Sequence, residues 1–160
     1  MTKSLWAPWR VEYVGNASEQ KGCVFCSAQK AADDDALVVH RSTSAFALLN
    51  RFPYSSGHLM VAPYRHVGAL GELTGEEIGD MHELVVRSLE VLAAEYRPDG
   101  FNLGWNLGQA AGAGVVDHVH EHVVPRWLGD TNFMPVLADV RVVPEHLERS
   151  RERLVAAWTK

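Results

Sequence analysis

Three histidines alternate with other residues in the segment His118-Val119-His120-Glu121-His122. Alternate residues of a β-strand share one face and lie roughly 6.5–7 Å apart, so an extended segment would place all three imidazoles on one side. Imidazole has a free pKa of about 6.5, which suits it to bind a metal ion or to act as a nucleophile or acid–base catalyst. The spacing therefore predicts a chemical site on this segment.

The chain contains two cysteines, Cys23 and Cys26, in a Cys-x-x-Cys pair that is typical of a metal site or of a redox pair. No βαβ pattern of the thioredoxin type surrounds the pair, so we favour a metal. Tetrahedral zinc needs two further ligands, and His66 and His118 are the candidates. Four protein ligands leave no position for a zinc-bound water, so this zinc is expected to be structural.

Length and composition indicate one ordinary globular domain of 160 residues, of which 47% are hydrophobic and 22% charged. The 15 Lys and Arg residues against 20 Asp and Glu residues give a formal charge of -5, which argues against broad binding to nucleic acid. No apolar stretch reaches the ~20 residues of a membrane span, and the first residues lack a signal-peptide core. We therefore expect a cytoplasmic protein without nucleic acid or membrane partners.

Apolar periodicity predicts an α+β domain whose five-stranded sheet is mainly antiparallel. After the third strand, Thr74 and Glu77 form a capping box, which marks the start of a long helix that ends at Pro98-Asp99-Gly100. Pro144 fits the first turn of a C-terminal helix that runs toward Trp158. The predicted strands are Leu37 to His40, Phe46 to Leu49, His58 to Ala62, Phe101 to Leu107 and Asp117 to Val124.

No internal repeat or long Pro, Gly or Ser linker interrupts the sequence, so we interpret it as a single domain in three parts. Residues 1–35 are expected to form an N-terminal arm with a Trp-rich stretch and the zinc-binding cysteine loop. Residues 36–127 are expected to form the core. Residues 128–160 are expected to form a C-terminal extension with its helix.

The segment from His118 to Val124 resembles the His-x-His-x-His-x-x signature of the histidine-triad (HIT) family of nucleotide hydrolases and transferases. Glu121 departs from the hydrophobic residue usual at its position, and on a strand it faces away from the triad. The resemblance covers nearly the whole chain and narrows to the bacterial branch that contains diadenosine tetraphosphate phosphorylases. Its further motifs are Leu5-Trp6-Ala7-Pro8-Trp9-Arg10, the cysteine pair, Phe46 to Pro53, Ser56 to Val61, Pro63-Tyr64-Arg65-His66, Asn106 to Gly112, Pro125-Arg126-Trp127, and Gly129-Asp130-x-Asn132-Phe133.

The resemblance implies a HIT fold, usually a homodimer, that binds a purine nucleotide and cleaves it at the α-phosphorus. It makes His120 the nucleophile, which forms a nucleotidyl-histidine intermediate, and it places His122 near the leaving-group oxygen. Asn106 corresponds to an amide that holds phosphate oxygens. Asn50 and His58 match pocket residues near the ribose and base. Metal-containing members of the family use the same four ligand positions that the cysteine pair suggests here.

The loop between the last two predicted strands contains Gly112, Ala113 and Gly114, small residues that permit close approach of a phosphate to backbone N–H groups. The same loop is equally consistent with a flexible connection. Asn50 is likewise consistent with a simple turn hydrogen bond. Trp127 fits either substrate stacking or subunit packing.

Three functions compete at this point. The first is cleavage of dinucleoside polyphosphates such as diadenosine tetraphosphate. Its acceptor stays open between inorganic phosphate and water, because the phosphorylases commonly have Ser at the position of Gly114. The second is hydrolysis of nucleoside phosphoramidates or adenylates. The third is a non-enzymatic, zinc-stabilised nucleotide-binding module.

Overall fold

The computed structural model describes residues 22–130 and 146–159. These residues form a five-stranded antiparallel sheet and three α-helices, which confirms the predicted α+β fold. The strands are β1 (Val38–Arg41), β2 (Ala45–Leu49), β3 (Leu59–Pro63), β4 (Gly100–Trp105) and β5 (Glu121–Arg126). The helices are α1 (Val24–Lys30), α2 (Gly75–Tyr96) and α3 (Leu147–Trp158), and 3-10 turns span Leu70–Glu72 and Gln109–Ala111.

The strand order is β1-β2-β3-β5-β4, and every neighbouring pair is antiparallel. Side chains alternate between the two faces of the sheet. Helices α2 and α3 cover one face, where the core includes Val61 and Leu92. A second apolar cluster, which includes Phe25 and Met60, covers the other face. Because His122 pairs with Met60 across β3 and β5, its ring projects on the face that α2 does not cover.

Helix α2 begins at the predicted capping box. The Thr74 hydroxyl accepts a hydrogen bond from the Glu77 backbone at 3.2 Å, and the Glu77 carboxylate accepts one from the Thr74 backbone at 2.8 Å. The Arg65 guanidinium donates two further hydrogen bonds to Glu77, at 2.9 and 2.7 Å. The helix ends where Arg97 takes a left-handed conformation with φ 48, directly before Pro98.

The cysteine segment, expected to be a loop, forms the short helix α1. Cys23 is the N-cap residue and Cys26 lies within the helix. Phe25 and Ala28 are buried three residues apart, and Lys30 lies in the last turn, where a cation is favourable. Seven residues do not form a stable helix alone in water, so the burial of Phe25 and Ala28 is decisive. Their helical spacing was the sequence signal for α1.

Strand β5 is shorter than predicted, because it begins at Glu121. Immediately before it, the Val119 N–H donates to the carbonyl of Val67 at 2.8 Å. The His118 ring donates to the Pro63 carbonyl at 2.9 Å. Pro63 also has no N–H to offer to a ladder. These alternative hydrogen bonds end the pairing of β3 with β5 just before Glu121.

Gly57 closes the turn that leads into β3. Its φ is +76, and a Cβ built on it would lie 2.9 Å from Leu92 Cδ2, so only glycine fits this position without strain. The turn brings the Tyr54 N–H within 3.0 Å of His58 Nδ1.

Helix α3 confirms the predicted C-terminal helix, and Arg151 anchors it by donating to the Val38 carbonyl at 2.6 Å. The Trp-rich stretch from Leu5 to Val14, Pro144, and Asn132-Phe133 lie outside the described residues. The division of the chain into three parts stays a prediction. In the described part of the chain, none of the helices combines the length and the apolar character that a membrane crossing requires.

The ion pair between Arg65 and Glu77 predicts a pH-dependent stability. The Arg65 guanidinium holds the pKa of the Glu77 carboxyl at about 2, below its ordinary value of 4.5 and against the effect of burial. A carboxylate with a depressed folded-state pKa stabilises the protein above its ordinary pKa and loses this contribution as the pH falls. Glu77→Gln is therefore expected to lower the midpoint of thermal unfolding by a few degrees at neutral pH. The difference from wild type should vanish between pH 4.5 and about 2.

Glu76→Gln is the matched control, since Glu76 lies in the same helical turn and has no recorded ion pair among the described residues. Thermal unfolding followed by circular dichroism at several pH values measures both variants. An equal decrease of the unfolding midpoint in the two variants would contradict a specific role of the contact between Arg65 and Glu77.

Candidate active site and metal centre

The structure brings together the four residues that the sequence predicts as metal ligands. Cys23 caps α1, Cys26 lies in α1, His66 follows β3 and His118 precedes β5. Their donor atoms all lie within 4.8 Å of one another. The Cys23 Sγ to His118 Nδ1 distance is 3.2 Å, and the Cys26 Sγ to His66 Nδ1 distance is 3.3 Å. Tetrahedral zinc separates such donor pairs by about 3.5 Å, so the four residues could hold a metal ion.

The His118 ring has the orientation that metal binding requires. Its Nε2–H donates to the Pro63 carbonyl at 2.9 Å, so the neutral ring has its lone pair on Nδ1, beside the two thiols. Burial lowers the pKa of His118, which favours this neutral form. Burial raises the pKa of the Cys23 thiol, so a bound cation would be needed to hold its thiolate.

His120 lies between the metal cluster and β5, with only 6% of the residue exposed. Its Nδ1–H donates to the backbone carbonyl of His118 at 2.9 Å, which leaves the lone pair on Nε2. Burial lowers the pKa of His120, although this hydrogen bond raises it, so the ring is neutral near physiological pH. A neutral imidazole with a free lone pair can attack an electrophile without first losing a proton.

A chain of hydrogen bonds leads from the backbone of Tyr54 to His122. The Tyr54 N–H donates to His58 Nδ1 at 3.0 Å, and His58 Nε2 lies 3.0 Å from His122 Nδ1. Because a backbone N–H only donates, neutral His58 carries its proton on Nε2 and donates it to His122. Neutral His122 therefore carries its own proton on Nε2, which makes that atom a hydrogen-bond donor.

Asn106 stands next to this proton. Its Nδ2 lies 3.2 Å from His122 Nε2. Both groups are donors in the protonation state just derived, so the contact becomes a hydrogen bond when the amide turns its oxygen toward His122. That orientation leaves the amide NH2 of Asn106 for a substrate oxygen.

Aromatic contacts surround these rings, and sequence reasoning missed two of the residues that make them. The Phe25 ring centroid lies 4.6 Å from that of His120 and 5.1 Å from that of His118. The Tyr54 ring stacks on His58 at 4.7 Å. Phe25 lies between the two cysteines and Tyr54 lies in the turn before His58. These positions in the sequence were the signals that could have indicated a place near the site. The His120 and His122 rings meet edge to face at 4.9 Å.

The loop after β4 has a defined conformation with internal hydrogen bonds. The N–H groups of Gly112 and Ala113 donate to the carbonyls of Gln109 and Gly108, at 2.9 and 3.3 Å. Among the described residues, no such partner is recorded for the N–H of Gly114. Of the three predicted phosphate-binding residues, Gly114 is thus the one whose backbone N–H remains for a phosphate oxygen.

Within residues 22–130 and 146–159, the structure shows no hydrogen bond or ring stacking between the histidine rings and either Asn50 or Trp127. The Asn50 Oδ1 accepts a hydrogen bond from the Phe52 N–H at 2.9 Å, which agrees with the interpretation of Asn50 as a turn residue. This bond leaves the side-chain NH2 of Asn50 to contact a ligand. Trp127 follows β5 directly, five residues beyond His122, which corresponds to about 17 Å along an extended chain. Within one chain, the structure therefore does not bring Trp127 to the triad.

Residues 31–127 match the family model described as HIT domain, which is more than half of the chain. The chain belongs to the HIT family. This match confirms the resemblance drawn from the His118 to His122 segment.

The relatives in the HIT family include named enzymes. The chain is 37% identical over 164 residues to AP-4-A phosphorylase of Mycobacterium tuberculosis, which covers 98% of this chain and 84% of that protein. It is 31% identical over 104 residues to adenosine 5'-monophosphoramidase hnt1 of Schizosaccharomyces pombe, which covers 65% of this chain and 74% of that protein. The first of these relatives agrees with the predicted bacterial branch.

A solved structure of a Zn-bound histidine triad family protein from Mycobacterium smegmatis is similar in fold. Its TM-score is 0.68 at 28% identity, over 86% of this chain and 94% of that one. The predicted HIT-like fold is thereby confirmed.

The donor cluster predicts about one metal ion per chain, since four protein ligands make one closed site. Cys23→Ser removes one thiolate and is expected to lower both the metal content and the midpoint of thermal unfolding, because ligation contributes to folding. Elemental analysis and calorimetry measure the two effects. His82→Ala is the control, because His82 is an exposed histidine of α2 outside the cluster. Unchanged metal content and stability in Cys23→Ser would exclude Cys23 as a ligand.

Proposed function

We propose that the protein is an enzyme that cleaves dinucleoside polyphosphates, such as diadenosine tetraphosphate, at the α-phosphorus. One arrangement carries the proposal: the hydrogen bond of His120 Nδ1 leaves a lone pair on Nε2, and the neighbouring His122 is oriented to donate a hydrogen bond from its own Nε2. A nucleophile beside such a donor is the arrangement that displacement of a phosphate leaving group needs. The AP-4-A phosphorylase of M. tuberculosis supports this substrate class.

In the first step, the lone pair of His120 Nε2 forms a bond to the α-phosphorus, and the bond to the leaving-group oxygen breaks. His122 Nε2–H donates a hydrogen bond to that oxygen, and the leaving polyphosphate departs as an anion that carries the electron pair of the broken bond. His58 holds this tautomer of His122 through its own hydrogen bond to Nδ1. The nucleotidyl-imidazolium retains its Nδ1–H bond to the His118 carbonyl.

In the second step, an acceptor oxygen attacks phosphorus, the bond between nitrogen and phosphorus breaks, and the electron pair returns to His120 Nε2. Water gives up a proton to solvent in this step, while the N–P bond electrons restore the neutral His120 ring. Inorganic phosphate is the alternative acceptor. Splitting the transfer into two displacements allows either acceptor to complete it.

The substrate is held by groups around these two rings. The Asn106 NH2 and the Gly114 N–H stabilise charge on the phosphate oxygens, while Gly112 and Ala113 permit close approach. Asn50 contacts the ribose through its remaining NH2. His58 has both ring nitrogens engaged, so it acts through His122.

We propose zinc as the metal of the cysteine–histidine cluster, with a structural role. Two thiolates and two imidazoles are a preferred donor set for zinc, and four protein ligands leave no position for a reactive water. The Zn-bound relative of M. smegmatis supports the identity of the metal. Zinc would tie α1 to the sheet. A reducing compartment keeps both thiols available as ligands, and we therefore infer a cytoplasmic location.

We propose a homodimer joined along β4. This strand ends the described sheet, and an unpaired edge strand exposes backbone groups that can pair with another chain. Leu103 of β4 is 47% exposed and Val86 of α2 is 42% exposed. A second copy would cover both apolar side chains. Trp127 follows Arg126, which pairs with Gly100 at the start of β4, so subunit packing is its proposed role.

His120→Asn is expected to lower the rate of diadenosine tetraphosphate cleavage about a thousandfold or more, because no other residue replaces the nucleophile. Folding and metal content should stay unchanged. His82→Asn is the control and should retain full activity. Trapping with labelled substrate should give a covalent adduct on His120 in the wild type. Equal turnover by His120→Asn and wild type would exclude the proposed mechanism.

Product identification in the same assay separates the acceptors and the alternatives. Phosphate as acceptor gives ADP plus ATP, whereas water gives AMP plus ATP. Faster cleavage of AMP-lysine than of any dinucleotide would favour a phosphoramidate hydrolase, an alternative that the S. pombe relative supports. Tight AMP binding without turnover or adduct would favour a non-enzymatic module.

The dimer is tested by sedimentation of the purified protein. Leu103→Asp places a charge on the β4 edge and is expected to shift the protein toward monomer. Leu70→Asp introduces the same charge at an exposed leucine outside the sheet and should leave the dimer intact. A monomeric wild type at micromolar concentration would contradict the proposed homodimer.

A further inference from the structure

We propose that Phe25 is a positioning residue for the His120 imidazole, and that the metal centre acts on the nucleophile through the Phe25 ring. The inference rests on the proposed function, in which His120 is the nucleophile. Phe25 belongs to α1, the same helix that supplies the two thiols.

A single aromatic ring contacts both a metal ligand and the nucleophile. The Phe25 ring is tilted by 46° against His118 and by 37° against His120, at centroid distances of 5.1 and 4.6 Å. Phe25 is 1% exposed and packs in the apolar cluster with Phe46 and Met60. It is therefore fixed on one side by the core and borders His120 on the other.

The His120 ring depends on packing for its orientation. Among the described residues, one hydrogen bond to the ring is recorded, from Nδ1–H to the His118 carbonyl. In the described part of the chain, its aromatic neighbours are Phe25 and His122. Without Phe25, a cavity would open beside His120 and other side-chain rotamers would become accessible. A displacement of about 1 Å at a reacting atom can cost ~100-fold in rate.

The metal ligands flank Phe25 in the chain, with Cys23 two residues before it and Cys26 directly after it. Cys23 provides no side-chain cap to α1, and a helix of seven residues is unstable alone. Burial of Ala28 and an Arg41 hydrogen bond to its carbonyl at 2.9 Å anchor the far end of α1. Metal ligation at Cys23 and Cys26 would therefore add to the burial of Phe25 in holding the near end of α1.

The first test compares Phe25→Leu with Phe46→Leu in the protein as purified with its metal. Both variants remove an aromatic ring from the same apolar cluster, but Phe46 stacks on Tyr64 and has no recorded contact with a histidine ring. For diadenosine tetraphosphate cleavage, Phe25→Leu is expected to lower kcat about tenfold with KM changed less than about twofold. Phe46→Leu should show a similar loss of thermal stability without that loss of kcat.

The second test measures the position of His120 without turnover. Diethyl pyrocarbonate acylates accessible neutral imidazoles, and peptide mass spectrometry locates the product. Modification of His120 should be slow in the wild type, where the residue is 6% exposed. It should be several-fold faster in Phe25→Leu and unchanged in Phe46→Leu.

Removal of the metal by a chelator tests the coupling. In the wild type it should accelerate His120 modification about as much as Phe25→Leu does. In Phe25→Leu the chelator should increase the rate of His120 modification only slightly, because the contact between Phe25 and His120 that couples the metal to His120 is already lost. Independent, additive effects would overturn the coupling, and equal kcat in Phe25→Leu and Phe46→Leu would overturn the positioning role.

Phe25→Met, which is closer to phenylalanine in volume, replaces Phe25→Leu if the latter does not fold as judged by circular dichroism. A wild type that cleaves no nucleotide would refute the proposed function alone. The modification rates of His120 would still decide whether Phe25 and the metal position its ring.

Discussion

The hydrogen bond from the His120 ring to the His118 carbonyl connects the two chemical sites of the protein. The His118 ring is held at both nitrogens, by the Pro63 carbonyl at Nε2 and beside the Cys23 sulfur at Nδ1. The backbone carbonyl of His118 is thereby placed, and it fixes the proton of His120 on Nδ1. One segment of three residues thus contains a ligand of the candidate metal site and determines which nitrogen of His120 has the lone pair for the proposed attack.

Burial serves both sites in the same way. His58, His118, His120 and His122 are all buried, at 0%, 0%, 6% and 8% exposure. Buried polar groups are costly unless they are hydrogen-bonded, and each of these rings has a partner of fixed donor or acceptor character. The partners select one tautomer per ring. Burial lowers the pKa of His118 and His120, which favours the neutral form that the proposed metal ligation and nucleophilic attack require.

Local signals explain what the sequence could predict. Strand alternation, the Thr74 capping box and the histidine and cysteine spacings each depend on neighbours in the chain, and they located the sheet, the start of α2 and the metal cluster. Helix α1 was missed because its seven residues depend on burying Phe25. Phe25 contacts His120, which is distant in the sequence, and Tyr54 contacts His58 only because of the specific turn between them. Neither contact could be predicted from neighbouring residues in the chain. The position of Trp127 relative to the site could not be predicted for the same reason, because a sequence motif gives the place of Trp127 along the chain and not its distance from His122.

Glu121 departs from the HIT signature, but strand alternation places its side chain on the face of the sheet opposite the histidine triad. It lies between His120 and His122 in the chain, but its cross-strand partner is Trp105, which packs on the helical side of the sheet. Burial raises the pKa of Glu121, and the charge of His82 on α2 opposes that shift. The carboxylate therefore interacts with His82 of α2, which covers the face of the sheet opposite the histidine triad. A polar residue at this position therefore lies on the helical side of the sheet, whereas Phe25, His58 and Asn106 contact the rings of His120 and His122.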